Sequence, residues 1–186
     1  MTPPPLAGAP RRALLEDLYA AAVAAAAPGP AVDRALAGLE DAGRPVWLFA
    51  LGKAAYPMAQ AAVASLAGRG KEPAGGIIVP PAGGPPPHPA LALVVGDHPE
   101  PGPGSLAAAE ALGRTAARVG PDDEAWVLLS GGATSLLGAP VEGVAPADLT
   151  ALYALLLGSG LDITAMNRIR KRFSRWGGGR LAAALA

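Results

Sequence analysis

Three short stretches of this chain hold residue types suited to an anion. The first is "LSGGATS", where the apolar run Trp126-Val-Leu-Leu129 gives way to Ser130, Gly131, Gly132, Ala133, Thr134 and Ser135. Small residues let backbone N–H groups approach a ligand closely, and the three hydroxyls add donors. The second is "FALGKAA", in which Gly52 allows a sharp turn and Lys53 follows at the start of a predicted helix. A cation is unfavourable at a helix N-terminus, so Lys53 needs a reason to be there, such as a phosphate held by both. The third is "MNRIRKRFSRWGGGR". On a helix its Asn167, Arg170, Lys171 and Ser174 fall on neighbouring faces, able to hold a carboxylate or a phosphate.

Each stretch also has a plainer reading. Lys53 could be a solvated surface lysine, the Ser-Gly-Gly segment a tight strand-to-helix turn, and the basic segment a solvated helix end favoured by the macrodipole. The glycine-rich segment is not a P-loop, because no Gly-Lys-Ser/Thr follows it. Nor is it a hydrolase nucleophile elbow, since Leu128 stands where the first glycine belongs. His98, in "GDHPEP", reads as structural. Asp97 and Glu100 flank it without metal-ligand spacing. The absence of cysteine excludes disulfides, thiolate catalysis and zinc–thiolate sites, and two histidines are too few for a histidine cage.

The elements that must position these residues alternate in type. Helices are predicted over 11–27, 33–41, 54–66, 105–119, 146–157 and 162–173, with a last one starting at 178. Strands are predicted over 45–51, 76–79, 91–95 and 124–129. Leu14, Leu15, Leu18, Ala22 and Ala25 give the first helix an apolar face. The run Pro45–Leu51 is apolar throughout, as a parallel strand covered on both faces would be. Pro57 is tolerated in the first turn of its helix, Ser105 is placed as a cap, and Pro146 opens a helix at its first position. Such alternation predicts an α/β domain, Rossmann-like, with three α/β/α layers around a mainly parallel sheet. Ligands of such sheets sit at the carboxyl ends of strands, where "GK" and "SGG" both fall. Residues 1–10 read as a flexible Pro-rich lead. The chain stops in a helix that has barely begun, which reads as a domain cut short of a further strand.

The 186 residues suffice for one domain with a core, and 51% are hydrophobic. Net charge is zero, yet residues 1–167 carry about −6 and the last 19 residues about +6, with 15 acids and nine bases in the first part and six bases in the second. One basic segment on an otherwise non-basic chain suits a small anion better than nucleic acid, so no nucleic-acid partner is expected. No basic n-region with an apolar h-region opens the chain, and no apolar run is long enough to span a bilayer. A cytoplasmic protein without a membrane partner is expected.

The order of the motifs is more specific than any one of them. "LGKAAYPMAQAA", "GDHPEPGPGSLAAAEAL", "LLSGGATSLLGAPVEGV" and "SGLDITAMNRIRKRFSRWGGGRLA", in this sequence, resemble the N-terminal domain of the glycerate 2-kinase family. Its C-terminal part is called the MOFRL domain, and members have also been labelled hydroxypyruvate reductase. The resemblance runs from about Arg11 to Ala182. It implies ATP-dependent phosphorylation of D-glycerate at the 2-hydroxyl, with ATP and Mg2+ as cofactors. It implies catalytic roles for Lys53 and Arg170. It implies substrate or nucleotide binding by Ser130, Gly131, Gly132, Ala133, Thr134, Ser135, Asn167, Lys171 and Arg180.

Three departures stand out. Gly-Gly-Ala-Thr replaces the family's frequent Gly-Gly-Gly-Ser, Gly177 replaces a lysine, and Arg172 a histidine. The family's acidic Asp-Val-x-Gly-Asp motif, the expected metal anchor, and the MOFRL domain are not in this sequence. Part of an active site is therefore expected, on an incomplete N-terminal domain over residues 11–186. A separately encoded C-terminal half or a second copy could complete it. The alternative is a non-catalytic remnant or split subunit that binds a nucleotide or small anion.

Overall fold

The computed structural model describes residues 9–186, so most of the proposed Pro-rich lead lies outside the described residues. The elements follow in the order α1 (Ala9–Ala25), α2 (Pro28–Ala37), β1 (Val46–Leu51), α3 (Ala55–Gly68), β2 (Gly75–Val79), β3 (Leu91–Leu93), α4 (Pro103–Ala116), β4 (Glu124–Leu129), α5 (Ala133–Leu136), α6 (Pro146–Gly158), α7 (Ile163–Phe173) and α8 (Arg180–Ala184). The four strands form one parallel sheet in the order β3-β2-β1-β4.

The sheet is sandwiched because β1 is apolar on both faces. Val46, Leu48 and Ala50 pack with α2 and α3, around Met58, Ala62 and Leu66. Trp47, Phe49 and Leu51 point the other way, into a layer built on α4 through Ala108, Leu112 and Ala116. All six β1 residues are buried, as a central parallel strand requires. The expected three-layer α/β architecture is therefore present.

The structure corrects the sequence reading at several points. Helix α2 begins at Pro28, so the Pro-Gly-Pro that ends α1 also starts the next helix, Pro28 falling in its first turn. Ser105 is not a cap. Gly102 holds that position, and Ser105 is buried within the first turn of α4. There it exchanges hydrogen bonds with Asp97, whose N–H donates to Ser105 Oγ (2.9 Å) and whose carboxylate accepts from the Ser105 N–H (3.0 Å). The apolar face proposed for the first helix meets no core, since Leu14, Leu15 and Leu18 are 58%, 66% and 58% exposed.

Parallel order puts the carboxyl ends of all strands on one side of the molecule. The β1–α3 turn, the loop after β3 and the β4–α5 turn gather there. Strand β4 forms one edge of the sheet, and its Val127 and Leu129 are 43% and 66% exposed.

Candidate functional site

The turns after β1 and β4 are stitched together by backbone. The Lys53 N–H donates to the Gly131 carbonyl (2.8 Å), and the Ser130 N–H donates to the Leu51 carbonyl (2.9 Å). Ser130 closes the seam with its side chain, accepting from the Ala54 N–H (3.0 Å) and donating to the Leu51 carbonyl (3.2 Å). The approach is so close that only glycine fits at position 52. A Cβ there would collide with Ser130 Oγ and lie 2.5 Å from the Ser130 carbonyl oxygen, and Gly52 has φ +116°. Gly132 is the second position with this demand. Its φ is +88°, and a Cβ would lie 3.1 Å from both Lys53 Cγ and His98 Cδ2. Lys53, His98 and Gly132 therefore meet at one point, although they lie far apart in the chain.

A cleft of about 810 Å³ opens beside this point, within the size range of small-molecule sites. One wall is the turn itself, Ser130 to Ser135, with bare backbone at Gly131 and Gly132. The opposite wall is α7, which contributes Asn167, Arg170 and Lys171. Helix α7 is placed by its ends. Asp162 caps its N-terminus by accepting from the Ala165 N–H (2.9 Å). Its C-terminal end is clipped to residues 139–141, where the Arg175 N–H donates to the Ala139 carbonyl (2.8 Å) and the Val141 N–H to the Phe173 carbonyl (2.9 Å). Val127, Leu129, Leu157 and Trp176 also line the cleft, so its lining is apolar in part and cationic in part.

Arg170 is held by an aromatic ring. Its guanidinium sits 4.6 Å from the ring centroid of Tyr153, a cation–π contact. Arg170 Nε is buried without a hydrogen-bond partner among the described residues. Tyr153 is fully buried and donates its hydroxyl to the Thr134 carbonyl (3.2 Å). Burial pushes the Tyr153 hydroxyl up to about 12, with Arg170 pulling the other way, so the phenol stays protonated. One side chain thus supports both walls of the cleft.

The sequence-predicted residues separate into groups. Gly131, Gly132, Ala133 and Thr134 form the turn wall, and Asn167, Arg170 and Lys171 face it. Lys53 is exposed at the junction beside Gly132. Ser130 and Ser135 line the cleft, but their hydroxyls already bond to backbone, Ser135 Oγ donating to the Gly132 carbonyl (3.1 Å). Arg180 is not on the cleft lining. Its Nη1 donates to the carbonyls of Lys171 (2.8 Å), Ser174 (3.0 Å) and Gly177 (2.9 Å), closing the end of α7.

Two residues of the site escaped the sequence reading. Tyr153 carries no local signal. His98, read there as structural, lines the cleft. Its pKa is lowered from the ordinary 6.5, first by loss of hydration against the cleft wall, then by the charges of Lys53 and Arg170. Its loop is fixed by the Asp97–Ser105 pair and by Thr150, whose hydroxyl donates to the Pro101 carbonyl (2.9 Å). The stretch "HPEP" followed by a small-residue helix start was available, but its spatial partners were not.

The cleft offers cations, hydroxyls, an amide and bare backbone, and its lining contains no carboxylate. Among the described residues no group of three His, Cys, Asp or Glu is placed to hold a metal ion. The donor set therefore does not suit Mg2+, which takes carboxylate oxygens. No helix among the described residues is long and apolar enough to cross a membrane.

Comparison with known proteins gives the family and the fold. Residues 14–186 match the family described as "Domain of unknown function (DUF4147)". The chain is 34% identical over 138 residues to a D-glycerate 2-kinase of Thermotoga maritima, covering 74% of this chain and 32% of that protein. It is 33% identical over 195 residues to the glycerate kinase of Homo sapiens, covering 90% of this chain and 36% of that protein. The crystal structure of a Thermotoga maritima glycerate kinase superposes with a TM-score of 0.73 at 30% identity, over 88% of this chain and 38% of that one. The chain thus spans about a third of the length of the curated relatives it matches.

Proposed function

The chain belongs to the DUF4147 family, the N-terminal domain of the glycerate kinases, and from that membership we propose that its cleft is part of the active site of a glycerate 2-kinase. The reaction moves the γ-phosphoryl group of ATP to the 2-hydroxyl of D-glycerate. A P–O bond forms to the substrate oxygen, the P–O bond to ADP breaks, the electron pair leaves with ADP, and the hydroxyl proton passes to water. Little covalent work falls to the protein in such a transfer. Positioning and neutralisation of charge do most of it.

The observation that carries this reading is the convergence of Lys53, Arg170 and Lys171 on a wall of bare glycine backbone. Arg170, with an unpartnered buried Nε and its guanidinium set by Tyr153, is suited to a planar carboxylate or a phosphoryl group. Lys53 supplies a flexible point charge at the turn. Gly131 and Gly132 let phosphate or glycerate reach the backbone. The lining provides no carboxylate to seat Mg2+. Val127 and Leu129 leave an apolar wall on the edge strand. A further segment or a second chain laid there would complete the site.

Trp176 lines the cleft and reports on its contents. D-Glycerate or Mg·ATP should change its fluorescence saturably, the change should vanish in Trp176→Phe, and Lys53→Met should weaken it about tenfold or more, as loss of a charged contact does. No change with either ligand would overturn the reading.

A further inference from the structure

We propose that His98 reads the substrate's hydroxyl: its neutral ring accepts the hydrogen bond of the 2-hydroxyl of a hydroxy acid whose anionic end lies on Arg170 and Lys53. This rests on the glycerate kinase reading of the cleft and deepens it, by giving the hydroxyl its own protein partner.

Three observations support it. First, the ring lies against bare backbone. A Cβ on Gly132 would sit 3.1 Å from His98 Cδ2 and 3.3 Å from its Nε2, so glycine there is what leaves the ring its place. Second, the ring has no other employment. Neither nitrogen of His98 has a hydrogen-bond partner among the described residues, although the loop that carries it is firmly tied at Asp97 and Pro101. His88 behaves differently, its Nδ1 accepting from the Ala90 N–H (3.2 Å). A ring rigidly presented to a cleft with both nitrogens open can take a ligand group. Third, the charged groups facing it are both cations, Lys53 from the β1–α3 turn and Arg170 from α7, and they disfavour the imidazolium. A neutral imidazole keeps one lone pair as an acceptor.

The division of labour follows from charge. Arg170 and Lys53 attract the carboxylate, and they cannot accept a proton from a hydroxyl. Within the cleft the imidazole nitrogen is an acceptor carried on a side chain and not already committed to the fold, as are the Asn167 amide and the hydroxyls of Thr134 and Ser174. The His98 ring is itself exposed, so an analogue without the hydroxyl should bind more weakly by about the worth of one hydrogen bond.

The chain's two histidines make the test direct. Protein carrying 15N-labelled histidine is titrated with D-glycerate and, separately, with 3-hydroxypropanoate, which keeps the carboxylate but lacks the 2-hydroxyl. The expected result is a shift of the unprotonated ring nitrogen of His98 with D-glycerate, little or none with 3-hydroxypropanoate, and a motionless His88. In His98→Phe, D-glycerate should bind about fivefold to tenfold more weakly, the size of one hydrogen bond, while 3-hydroxypropanoate binds as before. His98→Gln, which restores an acceptor, should recover part of the loss.

If the Gly131 and Gly132 amides respond to D-glycerate while the His98 ring does not, the role given to His98 is overturned and the cleft assignment survives. If neither responds at the highest soluble concentration, the cleft assignment fails and takes this inference with it. The ring-nitrogen measurement uses the unaltered chain, so a variant that folds poorly does not blunt it.

Discussion

Gly52 and Ser130 form the tightest contact of the site, and their effects should be separable from those of the charged groups. Gly52→Ala puts a Cβ into Ser130 at a backbone angle of φ +116°. It should cost more than about 2 kcal/mol of stability in urea unfolding, from strain and collision together. Acid should act through His98. Its folded pKa lies below the ordinary 6.5, so the unfolded chain binds more protons in the window between the two values. Stability is then highest above about 6.5 and falls as the pH drops through the folded pKa. A ring titration by NMR should place the His98 midpoint below that of an unfolded peptide, and His98→Gln should flatten that part of the stability–pH curve.

The residues differed in how readable they were. Lys53 and Gly52 announce themselves, because a glycine and a cation at the end of an apolar strand have few ordinary uses. Ser130 was legible as a site residue, but the structure gives its hydroxyl to the seam between two turns. The place of His98 on the cleft was not legible because its spatial neighbours Gly132, Lys53 and Arg170 all lie far from it in sequence.

At the scale of elements, α7 is the most consequential piece, since it carries Asn167, Arg170 and Lys171 as one wall. Its C-terminal carbonyls are gathered by Arg180, which lies off the cleft lining. Arg180→Met should therefore cost about 0.5–1 kcal/mol and speed amide exchange at Ser174 and Gly177, while leaving ligand affinity less affected than Arg170→Met does. Most element types followed from periodicity and punctuation. Strand β1 was readable because burial on both faces makes it apolar throughout, and α6 because Pro146 marks its start. The start of helix α4 was placed three residues late, as Ser105 looks like a cap in sequence but is spent on Asp97 while Gly102 holds the cap position. No local rule distinguishes those uses. Helix α1 shows the converse, an apolar face legible in sequence that meets nothing in the described structure.

For the whole molecule, the proposed reading takes a cationic cleft without a carboxylate as one part of a phosphoryl-transfer site. Incubated alone with ATP, Mg2+ and D-glycerate, the chain should give little or no 2-phosphoglycerate by 31P NMR, and turnover well above a Lys53→Met control would contradict the part-site reading. The three-layer architecture could be anticipated from alternating strands and helices. The meeting of three distant segments at the strand ends followed only from their parallel order.

The most direct measurement is calorimetric titration of the chain with D-glycerate, repeated on Arg170→Met and on Arg114→Met, whose charge lies on exposed α4 surface away from the cleft. The expected result is binding that Arg170→Met weakens about tenfold or more and Arg114→Met leaves unchanged. Equal affinity in all three, or no binding in the unaltered chain, would contradict the assignment of the cleft to a hydroxy acid.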